Sequence, residues 1–92
     1  LRDAMNRDTP WRLSPQVSVR PEPFGALLYH FGTRKLSFLK DRTLLAIVES
    51  LDRVDSLDEA CDAAGVDPRD RERYFGALET LAGSAMIEQR TT

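Results

Sequence analysis

The chain has 92 residues, with 13 Lys and Arg against 15 Asp and Glu, a formal charge of −2. That is one domain's worth of chain with a single modest core, and its weakly acidic balance gives no bulk attraction to nucleic acid or to an anionic membrane. The one cysteine, Cys61, excludes an internal disulfide and suits a reducing, cytoplasmic setting, and no run approaches the roughly 20 apolar residues of a membrane span.

The first residue is Leu1, so the start of the chain reads as trimmed. Residues 1–10 (LRDAMNRDTP) are polar and aperiodic and are expected to form a flexible arm. Trp11 and Leu13 mark where the arm meets a domain over 11–92. In QVSVR, Val17 and Val19 alternate with Gln16, Ser18 and Arg20, the period-2 pattern of a first strand. Pro21, Glu22 and Pro23 predict a stiff turn, since each proline fixes φ and lacks a donor. Gly25 gives freedom before a second strand in ALLYHF, with Leu27, Tyr29 and Phe31 on one face and Leu28 and His30 on the other. Gly32-Thr33 predicts a hairpin turn. The third strand, RKLSFL, alternates Leu36 and Phe38 against Lys35, Ser37 and Leu39, and such a meander leaves it at one edge.

After Lys40 the period changes to 3.6. Asp41 is an N-cap, and Leu44, Ile47, Val48 and Leu51 form one apolar helix face. Ser56 to Glu59 has capping-box spacing for a second helix with an apolar stripe of Leu57, Ala60, Cys61 and Ala64, closed by Gly65. Asp67-Pro68 starts a third helix, whose inner half holds Arg71, Tyr74, Phe75, Leu78, Leu81 and Ala82 before Gly83 ends it. Met86 and Ile87 are expected to tuck back under the domain. The predicted architecture is α+β, in the order β-β-β-α-α-α: a three-stranded antiparallel sheet packs one face on a three-helix bundle.

The residues offer no catalytic constellation. His30 is the sole histidine and Cys61 the sole cysteine, whereas zinc needs three or four converging ligands. Phosphate-loop, dinucleotide and nucleophile-elbow glycine patterns are all missing. Cys61 reads as a core thiol and His30 as a structural strand residue, so the chain reads as a non-enzyme with no cofactor of its own.

Two features point to binding. The third strand, flanked by Arg34, Lys35 and Lys40, is either a guarded edge or a docking rail for an acidic extended peptide. The same open edge would also let copies pair or exchange strands, so a monomer or a weak dimer is expected. The second and third helices have helix-turn-helix spacing, which makes a DNA-binding transcriptional regulator the alternative. Against it, Arg69, Arg71 and Arg73 interleave with Asp67, Asp70 and Glu72, so the helix start is nearly neutral and lacks side chains for base-edge readout.

Residues 10–40, PWRLSPQVSVRPEPFGALLYHFGTRKLSFLK, resemble the peptide chaperones of mycofactocin biosynthesis, a family of PqqD-like recognition elements of ribosomally made, modified peptides. The stretch RPEPFGALLYHFGTRKLSFLK is the specific part. The resemblance implies a winged-helix-like domain. It also implies two partners: the leader of a short acidic precursor peptide, and a radical S-adenosylmethionine maturase that modifies the precursor's Val-Tyr end and owns the iron–sulfur clusters. In that family the leader adds beside the third strand, in a groove walled by the third helix. Carried onto this chain, the edge is Arg34, Lys35, Leu36, Ser37, Phe38 and Leu39, and the wall is Arg71, Tyr74, Phe75 and Leu78.

Overall fold

A computed structural model of the chain describes residues 6–90. Strand β1 (Trp11–Leu13) is followed by a meander of β2 (Val17–Glu22), β3 (Gly25–His30) and β4 (Leu36–Leu39). Three α-helices follow among the described residues, α1 (Arg42–Ser50), α2 (Leu57–Ala63) and α3 (Arg71–Gly83), and then β5 (Ile87–Gln89). Short 3-10 turns at Leu51–Arg53 and Pro68–Asp70 link the helices. The expected α+β order of three antiparallel strands and then helices is present, with β3 in the centre of the order β2-β3-β4.

The sheet forms because its two faces differ. Ala26, Leu28 and His30 of β3 are buried, while Leu27 and Tyr29 are half-buried, so the Leu28 face is the one laid on the helices. Val17 and Val19 of β2 pair with His30 and Leu28 and pack against the core from the same side. The strand runs on through Pro21, which pairs with Ala26, so the predicted turn at residues 21–23 is a turn at Pro23 and Phe24 only. An edge strand tolerates a proline because no neighbour needs its missing donor.

The helix caps follow the sequence reading. Asp41 accepts the backbone N–H of Thr43 at 2.7 Å, and Ser56 accepts that of Glu59 at 3.1 Å. Glu59 reaches back to the N–H of Asp55 at 2.9 Å, completing the box one residue early. Leu44, Ile47, Val48, Leu51, Leu57, Ala60 and Cys61 all point into one core. Gly65 takes the left-handed conformation, φ 74°. After α3 that role falls to Ala85, φ 63°, while the Met86 N–H closes on the Leu81 carbonyl.

Two elements escape the sequence pattern. β1 and β5 form a separate two-stranded ribbon, with Trp11 opposite Gln89 and Leu13 opposite Ile87. Met86 and Ile87 are buried as expected, and β5 is what holds them there. The described part of the expected loose arm is also tied down: Arg7 makes a two-pronged ion pair to Glu72 at 2.9 and 3.1 Å, and its guanidinium lies 4.0 Å from the Phe75 ring centre. The Arg7 carbonyl accepts the N–H of Leu57, and the Asn6 carbonyl accepts the Trp11 indole. Residues 1–5 of that arm lie outside the described residues.

Candidate functional site

Strand β4 pairs with β3 on one side and, among the described residues, with no strand on the other. The ribbon of β1 and β5 leaves that margin open. The register is Ala26 to Leu39, Leu27 to Phe38, Leu28 to Ser37 and Tyr29 to Leu36. His30 continues it by donating its N–H to the Lys35 carbonyl at 3.0 Å. Antiparallel ladders alternate between bonded and non-bonded pairs. The Lys35 carbonyl and the backbone groups of Ser37 and Leu39 are therefore spent on β3, while the Lys35 N–H goes to the Thr33 hydroxyl at 3.3 Å, and the N–H and C=O of Leu36 and Phe38 face the open side.

The six residues of the predicted edge divide into three kinds. Leu36, Ser37, Phe38 and Leu39 form the strand. Lys35 stands one step before it. Arg34 belongs to the turn: its φ is 64°, and it donates its N–H to the His30 carbonyl at 2.7 Å. The left-handed residue of the hairpin is thus Arg34, where Gly32 had the better propensity. His30 holds this turn, since its Nδ1 accepts the N–H groups of Gly32 and Thr33, each at 3.0 Å. A buried imidazole so engaged is structural. Leu39 is buried beneath the sheet, and Leu36 and Phe38 are exposed on its outer face.

On the helix side, Tyr74, Phe75 and Leu78 are buried members of the core, and Leu78 has no exposed surface at all. Arg71 turns away from β4 and pairs with Asp62 at 2.7 Å and Asp58 at 3.7 Å on α2. The structure therefore does not bring Arg71 to the edge. Tyr74 makes the direct link, donating its hydroxyl to Asp41 Oδ2, two residues past β4, beside Arg73 at 3.9 Å. Sequence periodicity puts Tyr74, Phe75 and Leu78 on the inner half of α3 correctly, but it cannot tell a wall facing a guest from a wall facing the chain's own core.

Asp41 thus joins three structures: the end of β4, the start of α1 and the side of α3. The Tyr74 hydroxyl, with the N–H groups of Thr43 and Leu44 and the charge of Arg73, holds its carboxyl below the usual carboxylate range, against the opposing cost of partial burial. The same hydrogen bond pushes the Tyr74 phenol up. A carboxyl whose pKa is depressed by folding stabilises the fold fully above its unfolded value, about 3.9, and loses that contribution as pH falls through its folded value. Asp41→Ala removes a cap and leaves a buried hydroxyl without its acceptor, for an expected loss of about 1–3 kcal/mol at neutral pH. Denaturant midpoints for parent and variant at neutral pH and near pH 3 check this: the gap should narrow in acid, and a constant gap counts against an ionised Asp41.

Charge is segregated along the chain. Residues 17–42, the sheet and its turns, hold five cations (Arg20, Arg34, Lys35, Lys40, Arg42) and two carboxylates (Glu22, Asp41). From residue 43 onward five cations face eleven carboxylates. The arginines that open α3 are moreover engaged by neighbouring carboxylates: Arg69 with Asp67, Arg71 with Asp58 and Asp62, and Arg73 with Asp70 and Asp41. A DNA-reading helix would need those groups free for phosphate. Among the described residues the excess of positive charge lies in the sheet and its turns.

No group of His, Cys, Asp and Glu able to hold a metal occurs among the described residues. Cys61 is buried, and burial pushes its thiol pKa up, away from nucleophilic use. No helix among the described residues is long and apolar enough to cross a membrane.

Comparison with known proteins gives one consistent answer. The model of the peptide chaperone MftB family matches residues 10–88. A relative from Mycobacterium tuberculosis is 61% identical over 85 residues, 92% of this chain and 78% of that protein. One from Mycobacterium ulcerans is 61% identical over 84 residues, 91% of this chain and 77% of that protein. One from Mycolicibacterium smegmatis is 57% identical over 81 residues, 87% and 78% respectively. Each is named a peptide chaperone, which agrees with the non-catalytic reading of the residues. No solved structure matches. A family match over most of the chain, joined to relatives at this identity, shows that the chain belongs to the peptide chaperone MftB family.

Proposed function

We propose that the chain holds the leader of a ribosomally made precursor peptide by adding it as a strand to β4, and presents it to a radical S-adenosylmethionine maturase that performs the chemistry. The observation that carries this reading is the open margin of β4, where Leu36 and Phe38 turn their backbone groups outward beside Lys35 and Arg34. Main-chain pairing supplies affinity that tolerates sequence, and alternating side chains set the register. Ordering a flexible leader costs roughly 2–5 kcal/mol, which apolar contacts must offset. Cations around the edge speed the encounter with an acidic leader and reject basic ones. The family's name, peptide chaperone, supports a peptide as the guest.

The ladder's alternation makes the test position-specific. Leu36→Pro removes an outward donor at the free edge and should weaken the leader about tenfold or more beyond Leu36→Ala, with little change in melting temperature. Ser37→Pro instead removes a donor spent on β3, and should lower stability. Calorimetric titration of the leader with parallel melting curves separates the two. Parent-like leader affinity in folded Leu36→Pro would reject strand addition at this edge. Backbone amide shifts on titration should centre on residues 34–40.

A further inference from the structure

An antiparallel sheet that lays one face on a core commonly turns polar side chains to solvent on the other. Here the solvent face is apolar. Leu27 and Tyr29 of β3 stand on it half-buried, opposite Phe38 and Leu36 of β4. Leu36 is 55% exposed, Phe38 58% and Phe31, just past β3, 62%. Phe24, 46% exposed, brings its ring centre within 6.5 Å of that of Phe38, and Phe31 packs edge-on against Tyr29 at 5.0 Å. No other large hydrophobic side chain is exposed among the described residues. Cations flank the patch. Arg20 lies across the ladder from Leu27, Arg34 and Lys35 precede β4, and Lys40 follows it. Arg42 is held at the turn between β2 and β3 by its bond to the Pro23 carbonyl at 3.2 Å. A leader paired along the β4 margin, with side chains in a groove on the α3 side, leaves this face bare and extends it by one strand. An apolar, largely aromatic patch with charge at its rim has the composition of a protein–protein interface.

We infer that this outer face is the docking surface for a folded protein that offers apolar side chains within a rim of carboxylates, and that the maturase is that protein. The identity of the occupant rests on the presentation reading above, whereas the face and its chemistry stand on the sheet itself. Charge decides among occupants. Two copies meeting by this face would set Arg20, Lys35, Lys40 and Arg42 against the same cations. Two copies meeting head to tail would seat it on the helices, where five cations face eleven carboxylates from residue 43 onward. Among the described residues those helices carry no exposed large hydrophobic side chain to fill the patch. An anionic bilayer would attract the rim cations and repel the rest of a chain whose formal charge is −2. A partner protein can match both the apolar centre and the cationic rim. The position also serves presentation. A protein seated on the outer face touches β3, β4 and the flank of a strand added beside them, so one surface meets both the carrier and its leader.

The test titrates the maturase into the whole chain saturated with leader, and the leader into the chain alone. Phe24→Ser combined with Phe31→Ser removes two exposed rings that lie off the β4 margin. The double variant should melt like the parent, keep leader affinity within about twofold and bind the maturase about tenfold or more weakly. Arg20→Glu combined with Arg42→Glu should weaken the maturase complex several-fold at low salt, and the loss should shrink at about 0.5 M salt. Parent-like maturase affinity in the folded Phe24→Ser, Phe31→Ser chain would overturn the docking face and leave strand addition standing. A fall in leader affinity by the same factor would put these rings in the leader's own site and overturn it as well. A parent chain that fails to bind the maturase, loaded or free, would overturn the presentation reading and this inference with it. So would a parent dimer, or adsorption to phosphatidylglycerol vesicles, that the double variant abolishes while the maturase complex is unchanged, but then the docking face alone falls.

Discussion

Gly25→Ala is expected to cost more than about 3 kcal/mol and to pull β4 away from β3. Gly25 opens β3 with φ 150°, a backbone conformation that side chains rarely adopt, and strain of that kind alone costs of order 1–3 kcal/mol. The space is also taken. A methyl group there would stand 2.0 Å from the Leu39 carbonyl oxygen and 3.0 Å from the Asp41 N–H nitrogen. Both obstacles are backbone, so no rotamer change relieves them. The shift must pass into the end of β4 and into Asp41, and so into the cap of α1 and the bond to Tyr74. Leader affinity should fall together with the melting temperature. Gly76→Ala is the matched control: its added methyl meets nothing within 4 Å, and in the middle of α3 alanine should stabilise by about 0.5–1 kcal/mol. Thermal unfolding of the pair checks both signs, and a parent-like Gly25→Ala would mean the close approach of β3 and β4 is absent.

How much of this was legible in the residues depends on how local the signal is. Caps are local, and Asp41 and Ser56 are where the sequence places them. Amphipathic periods are local too, so α1, α2 and the three strands of the meander emerge from the pattern. β1 and β5 do not, because three-residue strands show no period and their pairing joins residues from opposite ends of the chain. The tethering of residues 6–10 is equally invisible, since polar Arg7 finds Glu72 and Phe75 only once α3 exists. At the edge, the motif falls on a strand that lies at the margin of its sheet, yet the ladder's phase decides which backbone groups are free. That phase comes from the hairpin geometry around Arg34 and His30, not from hydrophobicity. Likewise, alternation in ALLYHF separates two faces without saying which is buried. The helices settle it in favour of Leu28, and this is what leaves Leu36 and Phe38 to solvent.

Leu78→Ala should distinguish a core helix from a binding wall. Leu78 is fully buried on α3 among the core side chains. Deleting its outer carbons leaves a cavity that α3 and the sheet can only partly close, a loss of about 2–5 kcal/mol. For a chain of this length total stability is of order 5–14 kcal/mol, so the loss is a large fraction of it and should lower the melting temperature by roughly 10–30 °C. Leader affinity, measured well below that transition, should stay within about twofold of the parent, because the side chain is wholly enclosed in the core and offers no surface to a guest at the open margin. Leu36→Pro has the opposite signature, a parent-like melt with weakened binding. The two variants together form a double dissociation that neither gives alone. If Leu78→Ala melted like the parent while the leader fell away, α3 would have to swing off the sheet to admit the guest.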